Sequence, residues 1–133
     1  MTRVIVLGPR EFPYRAQMKA VLDRLHRRHR FTAVIETDEP GVARMAGDWA
    51  RERGLEDLKL PPETKLYRGR AGAVNNERML AEADMAIIYG DAGPDGLDLL
   101  VRARLKGAYV YTVDVVKDWG LVLDRNRRQI EEE

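Results

Sequence analysis

Cysteine is absent from the 133 residues, so neither a disulfide framework nor a cysteine-based zinc site is available. Neither sign of charge dominates. With 23 basic against 22 acidic residues the formal net charge is +1, and no global field demands a nucleic acid or an anionic membrane. No apolar run approaches membrane-spanning length, and no leader with a small-residue cleavage site follows Met1. The expectation is a cytoplasmic protein with no membrane partner and no nucleic-acid partner. No internal repeat and no low-complexity linker interrupts the chain.

What is present is the composition of a folded globular protein, 44% hydrophobic and 34% charged, at a length that buries one core. Residues 1–113 read as that domain. Residues 114–133 read as an extension: Trp119, Leu121 and Leu123 are suited to packing on the sheet edge or on another subunit, and 124–133 is charged enough to fray or stay disordered.

The chain alternates strand and helix. Arg3 to Leu7 is a β-branched run ending at Gly8-Pro9, a buried strand and its exit turn. Pro13 to Arg30 carries Met18, Val21, Leu22 and Leu25 at helical spacing. Phe31 to Ile35 is a second strand. Pro40 opens a second helix with Val42, Met45, Ala46 and Trp49 inward, and Gly54 ends it. Leu58 to Leu60 is a weak third strand, Glu63 to Gly72 a polar surface loop, and Ala73 to Ala83 a helix with Met79 and Leu80 inward. Met85 to Tyr89 is an apolar strand followed by a turn rich in glycine and aspartate. The last helix has Leu97, Leu100, Val101 and Leu105 inward and Gly107 as its stop, before a fifth strand, Tyr109 to Val113. This pattern predicts an α/β fold, a Rossmann-like three-layer sandwich with a five-stranded, mainly parallel sheet of order 3-2-1-4-5.

In that order the first and fourth strands are central neighbours whose connections leave in opposite directions, and ligands bind at such a switch point. The turns from Gly8 to Phe12 and from Gly90 to Gly96 would meet there. Arg10 can bind an anion bidentately, or brace the turn by pairing with Glu11 or Asp91. Asn76 can hydrogen-bond a base or ribose hydroxyl, or cap its helix. Arg68 and Arg70 can close over a ligand or remain solvated. Asp91 and Asp95, flanking Gly93, suit a ribose diol or magnesium, while Asp95 equally suits a helix start, where the dipole favours negative charge. Asp38 and Glu39 admit the same two readings.

Other features have plainer explanations. His26 and His29 lie three apart on a helix, but no third ligand is in view. Arg24, Arg27, Arg28 and Arg30 form a basic face that is either solvated or turned to an acidic partner. Of Phe12, Tyr14 and Trp49, only Phe12 falls near the crevice as a stacking candidate. No cofactor and no resident metal are expected.

Three segments together resemble a known family. Gly8-Pro9-Arg10-Glu11-Phe12, the run Gly69-Arg70-Ala71-Gly72 through Asn75-Asn76-Glu77-Arg78-Met79-Leu80, and Met85 to Ala103 are similar to the YspA-like branch of the SLOG superfamily. That branch is related to the lonely-guy phosphoribohydrolases and to the Rossmann-like domain of DprA. The resemblance covers roughly residues 3 to 113 and implies a pocket for a nucleotide-derived small molecule, lined by Gly8, Pro9, Arg10, Phe12, Arg70, Asn76, Gly90, Asp91, Gly93, Asp95 and Gly96. It also implies a homo-oligomer, commonly a dimer paired through helices.

The chain departs from the family pattern at several places. Glu36-Thr37-Asp38-Glu39-Pro40-Gly41 replaces a glycine-rich turn, and its three carboxylates would repel phosphate unless a metal or an arginine intervened. Asn75 replaces an arginine. The turn Asp91-Ala92-Gly93-Pro94-Asp95-Gly96 lacks the family's threonine, and Leu99 stands where the phosphoribohydrolases carry a glutamate, with Asp98 one step away. A binding or sensor domain is the first reading. The alternatives are a hydrolase of the N-glycosidic bond using Asp91, Asp95 or Asp98, and an interaction module with a degenerate pocket.

Overall fold

The computed structural model describes residues 2–90 and 92–113. Met1, Asp91 and the extension 114–133, with Trp119, Leu121 and Leu123, lie outside the described residues. In chain order the elements are β1 (Thr2–Leu7), α1 (Arg15–His29), β2 (Phe31–Glu36), α2 (Val42–Glu52), β3 (Glu56–Lys59), α3 (Thr64–Tyr67), a 3-10 turn (Arg68–Arg70), α4 (Ala71–Glu82), β4 (Met85–Tyr89), α5 (Gly93–Lys106) and β5 (Tyr109–Val113). The sheet order is β3-β2-β1-β4-β5 and every pairing is parallel. This is the expected α/β Rossmann-like topology.

Alternation along the central strands sends side chains to two separate cores. Val4 and Val6 of β1, with Met85, Ile87 and Tyr89 of β4, pack beneath α1 and α2 against Leu22, Leu25 and Trp49. Ile5, Leu7, Ala86 and Ile88 face the other way, against Met79 and Leu80 of α4 and Leu99 and Ala103 of α5. Trp49 is fully buried, and its indole N–H donates to Asp23 at 2.9 Å, so the polar edge of the ring is satisfied. Arg53 donates twice to the same carboxylate, tying the end of α2 to α1.

Several local expectations are corrected. The cap of α2 is Gly41, with φ 84°, so Pro40 precedes the helix and does not open it. The third strand is Glu56–Lys59, two residues earlier than the apolar signal suggested, because its register is set by pairing with β2. The supposed loop from Glu63 to Gly72 folds as α3, the 3-10 turn and the start of α4; none of the α3 or turn residues is buried. On α5 the inward residues are Gly96, Leu99 and Ala103, with Leu100 partly buried. Leu97, Val101 and Leu105, expected inside, are exposed, since small residues let the helix approach the sheet closely.

Candidate functional site

Two strand ends converge at the carboxyl edge of the sheet, and glycine makes the convergence possible. A Cβ on Gly8 would lie 2.7 Å from Val42 Cγ2 and 2.9 Å from Tyr89 Cβ, so the exit of β1 passes between the start of α2 and the end of β4. The Val42 N–H donates to Pro9 O at 3.2 Å, and Gly41 presses against the carbonyls of Pro9 and Arg10. The β1 exit loop is thereby held on the first turn of α2.

Arg10 leaves that loop towards solvent and pairs with Glu39 at 3.2 Å, not with Glu11. Phe12 turns inward and is buried, edge to face with Tyr89 at 5.8 Å and with Tyr14 at 5.6 Å, which is a packing position. After β4, Gly90 takes φ 54° while its N–H donates to Val113 O at 2.7 Å. Gly93, at φ 68°, begins α5 with a proline just inside, and Asp95 stands in the first turn, where the dipole favours it. Gly90, Gly93 and Gly96, with Leu97, Thr112 and Val113, line a cleft of about 330 Å³ at the carboxyl ends of β4 and β5.

The seam between α4 and α5 gathers another set. Asn76, buried, donates through Nδ2 to Asp95 O at 2.9 Å and to Asp98 Oδ2 at 3.0 Å. The Asp98 carboxylate also accepts from Arg102 Nε at 2.8 Å. The Asp95 carboxylate lies against Gly72, where no side chain larger than hydrogen would fit without moving it. Arg68 and Arg70 are exposed on the 3-10 turn. The structure therefore separates the candidates into three groups: Gly8, Pro9 and Arg10 beside α2; Gly90, Gly93 and Gly96 in the cleft; Asn76, Asp95 and Asp98 at the helix seam.

The acidic turn after β2 carries its own counterions. Lys59 Nζ lies 2.6 Å from Glu36 and 3.3 Å from Asp38, Arg44 is 3.9 Å from Asp38, and Arg10 takes Glu39. Burial pushes the Glu36 carboxyl up to about 7, with Asp57 adding to the shift and the Lys59 ammonium opposing it. Arg15, Arg44, Arg51 and Lys59, with Asp38 and Asp48, line a second cleft of about 560 Å³ here. Sequence reading passed over Lys59, because only the β2–β3 register brings it opposite Glu36.

Among the described residues no group of three or more histidines, cysteines or carboxylates could hold a metal. His26 Nδ1 accepts the Phe31 N–H at 3.0 Å, and His29 stacks on Phe31, so the pair serves the α1–β2 junction. Among the described residues no helix is long and apolar enough to cross a membrane.

The X-ray structure of DNA processing protein A (DprA) from Streptococcus pneumoniae superposes with a TM-score of 0.69 at 13% identity, covering 99% of this chain and 56% of that one. The likeness is one of fold, and the chain spans little more than half the length of that protein. No curated protein is similar enough to count as a match. Residues 2–67 match the profile of the YAcAr family, a stretch that ends before the run Gly69–Leu80. Over these residues, β1 to α3, the chain is similar to the YspA, cpYpsA-related SLOG family.

Proposed function

We propose that the domain binds a nucleotide or a nucleotide-derived small molecule at the carboxyl ends of β1 and β4. The observation that carries this reading is the sheet order, in which β1 and β4 are neighbours and the turns Gly8–Arg10 and Gly90–Gly96 leave one edge in opposite directions. The amino-terminal end of α5, which begins at Gly93, has the dipole that suits a phosphate. Arg10, held by one exposed carboxylate, is free to exchange Glu39 for a ligand anion at little cost. Arg70 on its exposed 3-10 turn suits a closing role. Asn76 positions the α5 start from beneath through Asp95 O. Similarity to the SLOG family over residues 2–67 supports the ligand class.

Binding without turnover is the reading favoured here, because Asp98 is committed to Arg102 and Asn76 and Leu99 is buried. Hydrolysis of an N-glycosidic bond would fall to Asp95 or Asp91. Native mass spectrometry of the freshly purified protein, followed by a thermal-shift panel of nucleotides, tests the proposal. A ligand at a hundredfold its Kd stabilises by about 2.7 kcal/mol, and Arg10→Ala should weaken that response about tenfold or more. No stabilisation by any nucleotide at millimolar concentration would overturn it; free base released from a nucleotide pool would turn it into an enzyme.

A further inference from the structure

Two apolar surfaces are left uncovered on one side of the described domain. On α5, Leu97 is 63% exposed, Val101 49% and Leu105 83%, and their spacing of four puts them in one line along the helix. Beside them β5 is the last strand of the sheet and reads YVYTV. Charged residues on an edge strand discourage further pairing. The opposite edge, β3, has them, reading EDLK; β5 has none.

The chain leaves the described structure next to this surface. Leu97 and Leu100 of α5 share a cleft with Thr112 and Val113 of β5. The following residues, 114–123, read DVVKDWGLVL, with Val115, Val116, Trp119, Leu121, Val122 and Leu123 apolar. An apolar stretch and an apolar stripe, each in need of cover, thus lie adjacent along one chain.

We propose that residues 115–123 dock on the Leu97–Val101–Leu105 stripe of their own α5. The lengths agree. The stripe spans about 12 Å at ~1.5 Å per residue, and nine residues reach along it in any backbone conformation. A tethered segment is also present at an effective concentration on the order of millimolar, which a second copy of the chain at micromolar concentration does not match. The docking needs no ligand, so it holds or fails independently of nucleotide binding.

Trp119 reports on it directly. The chain has two tryptophans, and Trp49 is fully buried, so subtracting the emission of Trp119→Phe from that of the full-length protein isolates Trp119. Its emission should be blue-shifted, resistant to acrylamide and unchanged on dilution through the micromolar range. Val101→Lys and Leu105→Lys should each raise its quenching severalfold while Trp49 stays protected; Leu105 is exposed enough that folding is not at stake. Three results overturn the proposal: a Trp119 quenched as freely as in urea, protection untouched by either lysine, or protection that disappears on dilution as the measured mass halves, which would assign the stripe to a second copy.

Discussion

Glu36 and Lys59 are register partners across β2 and β3, and the lysine ammonium sits 2.6 Å from a carboxyl that has no exposure to solvent. Burial outweighs the ammonium, so Glu36 in the folded protein holds its proton up to about pH 7, against an ordinary value of 4.5. Between those values the folded state binds the proton and the unfolded state does not. Its contribution to stability therefore falls as pH rises from about 4.5 to about 7. Glu36→Gln should remove that slope and exceed the parent at pH 8 by on the order of 1–2 kcal/mol. Urea denaturation at pH 5 and pH 8 measures it; a parent-minus-variant difference that stays flat would sink the assignment.

Gly41 is expected to tolerate no side chain. Its φ of 84° is costly for any L-residue, and an added Cβ would run into the backbone of Pro9 and Arg10, atoms that cannot rotate away. Gly41→Ala should destabilise by about 2–4 kcal/mol. Gly54, at φ 72° with nothing within 4 Å of the same position, is the control, and Gly54→Ala should cost only about 1 kcal/mol. Equal losses in chemical denaturation would contradict the clamp between the β1 exit and α2.

Asn76 joins two helices through a single amide nitrogen. Asn76→Ala removes two part-buried hydrogen bonds, to Asp95 O and to the Asp98 carboxylate, a loss of about 1–3 kcal/mol. Asn76→Asp sets a second carboxylate beside Asp98 and should be worse at pH 7 than at pH 4, where protonation relieves the repulsion. The comparison of the two variants at the two pH values is the check, and an aspartate no more harmful at pH 7 would argue against the bridge.

The two faces of α5 should respond oppositely to truncation. Leu99→Ala empties a fully buried site and should cost about 2–5 kcal/mol in global unfolding. Leu97→Ala removes a mostly exposed side chain and should cost less than about 1 kcal/mol. Denaturant midpoints at unchanged slope separate them.

That face of α5 also shows where sequence reading failed. Leucine and valine at 97, 101 and 105 outweigh Gly96 and Ala103 on any hydrophobicity scale, yet the helix turns its small residues inward to lie close on the sheet. Close approach is a property of the pair of surfaces and leaves no mark in the periodicity of one of them. The loop expectation over Glu63 to Gly72 fails for a related reason: in α3 and the 3-10 turn no side chain is buried, so the segment has no apolar period to detect. The strands were legible because β1 and β4 are buried on both faces, and their order followed from the alternation with helices. At the site, the glycine turns were legible as turns, whereas the Arg10–Glu39 and Lys59–Glu36 pairs depend on loop path and register, which composition does not encode.

The central place of β1 has a consequence for how the chain comes into being. Synthesis proceeds from the amino end and domains begin folding as they emerge, so β3-β2-β1 with α1 and α2 is available for assembly long before β4 exists. Ile5 and Leu7 face the side that α4 and α5 later cover, and they stay open to water throughout that interval. β1 precedes β2 and β3 in the chain, yet it acquires its second neighbour only when β4 has been made. A half-made chain therefore presents a bare sheet face and an open β1 edge to its surroundings, which the finished domain does not.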